Sequence, residues 1–143
     1  MRALLWVLAM NYFTPGMTAQ ELNKISMLGL AHVGDAVYEL MTRTTLCAQG
    51  HSAAMDLHKL TVSHVNAPAQ AKAVERILPL MTEAEQAVYK RGRNAHVHSV
   101  PQRASVGEYH AATGLEALFG WLYLQGMQER LQELFDVIRE AWD

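Results

Sequence analysis

Two acidic residues stand where ordinary helical sequence would not place them. Asp35 lies in residues 29–40, where Leu30, Val33, Val37 and Leu40 recur at helical spacing. Gly34 directly precedes it mid-helix, at a cost of about 1 kcal/mol relative to alanine. Glu116 lies in residues 113–124, another apolar helical stretch, between Gly114 and Gly120. A buried carboxylate needs a cation, hydrogen-bond donors or water. Small residues let two helices approach closely, so these segments could bring Asp35 and Glu116 together. Two carboxylates at one point repel unless something positive lies between them. A hard divalent cation such as Mg²⁺, which favours oxygen ligands and keeps several waters, suits that position. The same pattern admits a plainer placement, with each acid at the edge of an apolar stripe facing water. Taken singly, each acid favours that placement, and the paired glycine contexts narrow the gap without closing it.

A second group could handle phosphate. Lys90, Arg91, Gly92, Arg93 and Asn94 form the densest positive charge in the chain and continue into His96, His98, Gln102 and Arg103. Glycine lets backbone amides approach phosphates, and lysine and arginine neutralise them. A-form RNA is read mainly by shape and sugar–phosphate contacts, which suits a polar loop without an aromatic platform. Basic residues at a helix C-terminus also complement the macrodipole, and the residues alone leave the two roles even. The whole chain, with 12 Lys and Arg against 14 Asp and Glu, has a formal net charge of −2, so RNA contact requires a local patch on a mildly acidic body.

Other reactive residue types have blander readings. The single cysteine, Cys47, excludes an intramolecular disulfide framework and a cysteine-rich zinc site, and reads as a buried structural thiol in a reduced, cytoplasmic setting. His32 precedes Asp35 by three residues, but a packed or exposed neutral histidine outweighs a zinc site. His58 and His64 are six apart, which does not place them on one helical face. Glu39 follows Asp35 by one turn and reads equally as a supporting acid or a surface residue. His110 and Tyr109 sit at the mouth of the Glu116 helix, within reach of an acid or phosphate, whereas Tyr38 has the pattern of a core aromatic.

The elements that must position these groups are helices throughout. Thr18–Glu21, Thr82–Glu85 and Ser105–Glu108 are capping-box patterns. Helical periodicity runs from Ile25 to Cys47 and stops at Gln49 and Gly50. Ser52 is a candidate cap for a helix through Leu57, Leu60 and Val62. Pro68 marks a fresh start leading through Val74 and Ile77 to Pro79. The Thr82 box opens a short helix to about Lys90, and residues 91–103 read as the one long polar loop. The Ser105 box opens the Glu116 helix, Gly126 punctuates it, and Met127 to Trp142 form a last amphipathic helix with Leu131, Leu134, Phe135 and Ile138 on one face. No alternating strand is visible, and the fold class is all-α.

At 143 residues, 50% hydrophobic and 18% charged, the chain fits one globular domain with an ample core. Residues 1–13 read as an N-terminal extension. Arg2 and the apolar run 3–10 faintly resemble a signal peptide, but the run is short, Asn11, Tyr12 and Phe13 are no cleavage site, and Met10 and Met17 are alternative starts. No segment is long enough to span a membrane, and the expectation is a soluble cytoplasmic protein.

Leu30-Ala31-His32-Val33-Gly34-Asp35-Ala36-Val37-Tyr38-Glu39-Leu40 resembles the ribonuclease III signature, centred on Gly-Asp-Ala-Val. Residues 116–124, from Glu116 through Phe119, Gly120 and Trp121 to Leu124, resemble the second acidic motif of that family. Residues 90–95 and the lack of an appended double-stranded-RNA-binding domain resemble the Mini-ribonuclease III group. The resemblance covers residues 14–143, read as the catalytic domain, and implies a ribonuclease III endonuclease-domain helical bundle. It implies Asp35 and Glu116 as the catalytic, metal-holding acids and Lys90, Arg91, Arg93 and Asn94 as RNA contacts. It further implies Mg²⁺, with Mn²⁺ as a substitute, a homodimer cutting double-stranded RNA to 5′-phosphate and 3′-hydroxyl ends, and precursor ribosomal RNA of the large subunit as substrate. Full-length family members carry two more acids, at positions occupied here by Ala31 and Thr113. Both departures also resemble the Mini group, and they suggest a weaker metal site. Two other functions compete with this one: a non-catalytic RNA-binding or ribosome-associated relative, and a helical interaction domain whose glycine-rich helices only dimerise. Leu57, Leu60 and residues 121–124 are apolar enough to serve such an interface.

Overall fold

A computed structural model describes residues 9–95 and 105–142. Those residues form helices and no strand. Helix α1 spans Ala19–Leu22, α2 Met27–Ala48, α3 Ala54–Val65, α4 Ala67–Ile77, followed by a 3₁₀ turn Leu78–Leu80, α5 Glu83–Arg93, α6 Val106–Leu124 and α7 Gln128–Arg139.

Local chemistry sets most of the boundaries. In all three capping boxes the Thr or Ser hydroxyl accepts from the amide three residues on, and the Glu there accepts from the cap amide. Asn66 caps α4 with Pro68 in its first turn. Gly50 and Gly126, just past α2 and α6, take φ of 98° and 79°, the left-handed region that glycine enters freely. Ser52 is no cap: α3 starts after Ala53 without a side-chain cap.

Helix α6 is the centre. Nine of its residues are buried, from Ala112 to Leu122, and it packs against α2, α4, α5 and α7. A helix apolar on all sides is expected only where neighbours surround it. Around it, Tyr38, Val74, Ile77, Leu115, Leu118, Phe119, Leu134 and Phe135 form the main core. Leu22, Leu30, Ala31 and Ala117 form a second cluster under α1. The expected face of α7, Leu131, Leu134, Phe135 and Ile138, is buried as a set.

Helix α5 is tied to α7 by a buried ion pair. Arg130 donates to both Glu85 carboxylate oxygens at 2.9 Å, and the Glu85 side chain is 3% exposed. Burial alone would raise the Glu85 carboxyl, but hydrogen bonds from Arg130 and Thr82 outweigh it and hold it below the usual glutamate range. Tyr12 and Phe13, in the segment read as an extension, have carbonyls that accept from Tyr123 and Gln128, and Pro15 is fully buried. No helix of the described residues is long and apolar enough to cross a membrane.

Candidate active site

The site exists because α2 and α6 cross with backbone against backbone. A Cβ at Gly34 would lie 1.6 Å from the Glu116 carbonyl oxygen, and one at Gly120 would lie 2.0 Å from the Leu30 carbonyl oxygen. Real side chains at either position would hold the helices apart. The crossing sets Asp35, next to Gly34, beside Glu116, one turn before Gly120, close enough for Asp35 to raise the Glu116 carboxyl. Gly114 has a different function from the one its sequence context suggests. It faces α5, where a Cβ would meet Tyr89 at 2.7 Å.

The two acids are unequal. Asp35 is exposed, the placement at the edge of an apolar stripe that each acid favours when taken singly. Glu116 is half-buried. Burial raises its carboxyl, the hydrogen bond and negative charge of Asp35 raise it further, and a hydrogen bond from Gln70 opposes them, leaving it pushed up to about 8. A carboxyl that holds its proton against an adjacent carboxylate marks a place where positive charge is missing. Tyr38, in the core against Phe119 and Phe135 at ring-centroid distances of 5.3 and 5.6 Å, keeps its hydroxyl neutral through burial and the charge of Glu116.

The donor set suits Mg²⁺. Two carboxylates converge with one face open to water, and the oxygen Oε1 of Gln70 is buried without a hydrogen-bond partner. Mg²⁺ is ordinarily held by one or two carboxylates with retained waters. Among the described residues no group of three or more His, Cys, Asp and Glu gathers as a metal cluster. His32 is exposed beside an apolar groove, His64 stacks on Trp142 at 3.8 Å, and His110 lies beside Tyr109 in the first turns of α6. Glu39 pairs with Arg43 at 2.9 Å on the surface. Ala31 is buried, and the Thr113 hydroxyl donates to the Tyr109 carbonyl. Cys47 is exposed rather than buried, because the last turn of α2 runs past the core.

The basic group is helical, not a loop, as α5 continues to Arg93. Lys90, Arg91 and Asn94 are exposed, and Arg93 lies over the Tyr89 ring at 5.7 Å. Gly92 is buried against α6, where a Cβ would meet Ala117 at 2.7 Å and Gly114 at 3.1 Å. It therefore serves helix packing, not backbone contact with phosphate. That packing brings the basic turn alongside residues 113–117, on the same helix as Glu116. His96, His98, Gln102 and Arg103 lie outside the described residues.

Gln70 is a site residue that the motifs do not reveal. A signal is present: it precedes Ala73, Val74 and Ile77 by three, four and seven residues, so it is a polar side chain on the buried stripe of α4.

Residues 28–127 match the family described as Ribonuclease III domain. The chain is 47% identical over 107 residues to Mini-ribonuclease 3 of Symbiobacterium thermophilum, covering 75% of this chain and 82% of that one. It is 43% identical over 121 residues to Mini-ribonuclease 3 of a Thermoanaerobacter species, covering 85% of each. A crystal structure of a Fusobacterium nucleatum protein superposes with a TM-score of 0.75 at 30% identity, covering 81% of this chain and 94% of that one. The chain belongs to the ribonuclease III family, within its Mini-ribonuclease 3 group, and is an endoribonuclease.

Proposed function

We propose that this protein is a Mg²⁺-dependent endoribonuclease of double-stranded RNA, with Asp35 and Glu116 as its metal-holding, catalytic acids. The observation that carries this reading is the pairing of the two carboxyls at the Gly34–Gly120 crossing. When bound there, Mg²⁺ (or Mn²⁺) would supply a polarised water and charge stabilisation at the scissile phosphate. The chain's own contribution is position. Glu116 is half-buried on α6, Asp35 faces solvent where RNA arrives, and Lys90, Arg91, Arg93 and Asn94 neutralise and orient the phosphates beside it. Hydrolysis leaves 5′-phosphate and 3′-hydroxyl ends.

The catalytic domain on this reading is residues 14–143, and it acts as a homodimer. Support comes from an apolar groove along α2 and α7, lined by Val33, Ala36, Val37, Leu40, Met41 and Leu131, beside a Leu40 that is 59% exposed. A projecting leucine next to an apolar groove suits a two-fold contact, in which each copy offers both. The natural substrate is precursor ribosomal RNA of the large subunit, acted on in the cytoplasm, a setting in which the exposed thiol of Cys47 stays reduced.

The test is cleavage of a labelled RNA duplex with Mg²⁺, comparing wild type with Glu116→Gln. Cutting by wild type alone supports the assignment. Binding without cutting moves the protein to an RNA-binding role, which the missing acids at positions 31 and 113 would then explain. Equal cutting by both removes Glu116 from the site.

A further inference from the structure

We infer that Gln70 belongs to the cation site: its amide nitrogen holds the Glu116 carboxylate in place, and its carbonyl oxygen is a third oxygen donor beside Asp35 and Glu116. This rests on reading the Asp35–Glu116 pair as a divalent-cation site.

Gln70 is 2% exposed. Its Nε2 donates to the Val65 carbonyl at 2.9 Å. A backbone carbonyl only accepts, so the amide atom facing it must be the nitrogen, and the orientation of the group is fixed. The nitrogen carries a second hydrogen, and the Gln70 amide lies near enough to Glu116 to favour its charged form. Oε1 shares a carbon with that nitrogen, so it lies in the same buried space near Glu116. It is the one buried side-chain polar atom without a partner among the described residues.

A buried acceptor left alone is costly and calls for an explanation. Packing does not supply one, since leucine or methionine would fill this place on the stripe of Ala73, Val74 and Ile77. What completes an orphan oxygen beside two carboxylates is electropositive: a hard divalent cation, or water that it carries. Charge favours the amide over a third acid. Two carboxylates and a neutral oxygen balance a 2+ ion, and Gln70 supplies an oxygen that Ala31 cannot and that Thr113, bonded to Tyr109, does not turn inward.

The experiment is Mn²⁺ binding to the full chain without RNA, read by electron paramagnetic resonance of the free ion, for wild type, Gln70→Leu, Gln70→Glu and Asp35→Asn. Gln70→Leu is expected to bind Mn²⁺ about 10- to 100-fold more weakly. Gln70→Glu, which keeps an oxygen there but loses the nitrogen that holds Glu116, is expected to bind more tightly than Gln70→Leu. A role in packing alone gives the opposite order, with leucine tolerated and a third buried acid disruptive. Equal Mn²⁺ affinity in wild type and Gln70→Leu overturns the inference. If Gln70→Leu does not fold, Gln70→Met takes its place, and Mn²⁺ affinity equal to wild type overturns the inference. Unchanged binding in Asp35→Asn instead overturns the cation-site reading itself, whatever position 70 does.

Discussion

Replacing Gly34 with alanine tests the crossing on which the site depends. The added methyl would sit 1.6 Å from the Glu116 carbonyl oxygen, 2.5 Å from its carbon and 2.7 Å from the Gly120 nitrogen. That is about 1.8 Å short of the 3.4 Å at which contact becomes ordinary. The obstacles are backbone atoms, which cannot rotate away, so α2 and α6 must part. Alanine's better helix propensity returns about 1 kcal/mol. Overpacking costs about 1–3 kcal/mol where side chains can adjust, and more where they cannot. The steric term wins, for a net loss of about 2–3 kcal/mol. At roughly 4 °C per kcal/mol for a chain this size, the midpoint should fall by about 8–12 °C. Cleavage should fall further, because parting the helices separates Asp35 from Glu116. The assay is thermal unfolding by circular dichroism, with duplex cleavage measured at a temperature where the variant is folded. Gly107→Ala is the control: it lies in the first turn of α6 with nothing within 4 Å of the added atom, and should be neutral or slightly stabilising. A Gly34→Ala protein that melts within about 2 °C of wild type and cuts normally would refute the backbone crossing.

Other consequences follow from the same geometry. Because Glu116 is raised from 4.5 to about 8, the folded metal-free protein binds a proton that the unfolded chain releases, so the contribution of this group to stability is full below 4.5 and is lost as pH rises to about 8. At about 1.36 kcal/mol per pH unit the loss is at most about 5 kcal/mol. Glu116→Gln should remove this fall, and urea midpoints showing the same pH profile in both proteins would contradict it. Arg130→Met leaves the Glu85 carboxylate buried and unpaired, and should lower stability by about 3 kcal/mol in chemical denaturation. A change under 1 kcal/mol would show that the pair is not structural. Neutralising Lys90, Arg91 and Arg93 together should weaken duplex binding and reduce the slope of log affinity against log salt by about 0.9 for each phosphate no longer neutralised. An unchanged slope would place the RNA elsewhere.

Much of the fold is legible in the amino-acid sequence, because it depends on residues three or four apart. The capping boxes at Thr18, Thr82 and Ser105, the proline start at Pro68 and the glycine stops at 50 and 126 are local interactions, and the helices form where they indicate. The buried face of α7 is readable for the same reason. The departures share a cause. The end of α5, the exposure of Cys47 and the packing role of Gly92 depend on which neighbour covers a face, and periodicity does not name the neighbour.

The amino-acid order alone determined an all-helical domain, a helix carrying Gly34-Asp35, a second carrying Glu116, and a turn of positive charge. Only the tertiary structure decided that Gly34 meets the Glu116 backbone, that an exposed Asp35 lies beside a half-buried Glu116, and that the buried Gln70 acts on Glu116. Side-chain spacing along one helix fixes which residues share a face. The approach of two faces from distant parts of the chain is set by packing of the whole core, and here by the absence of two β-carbons.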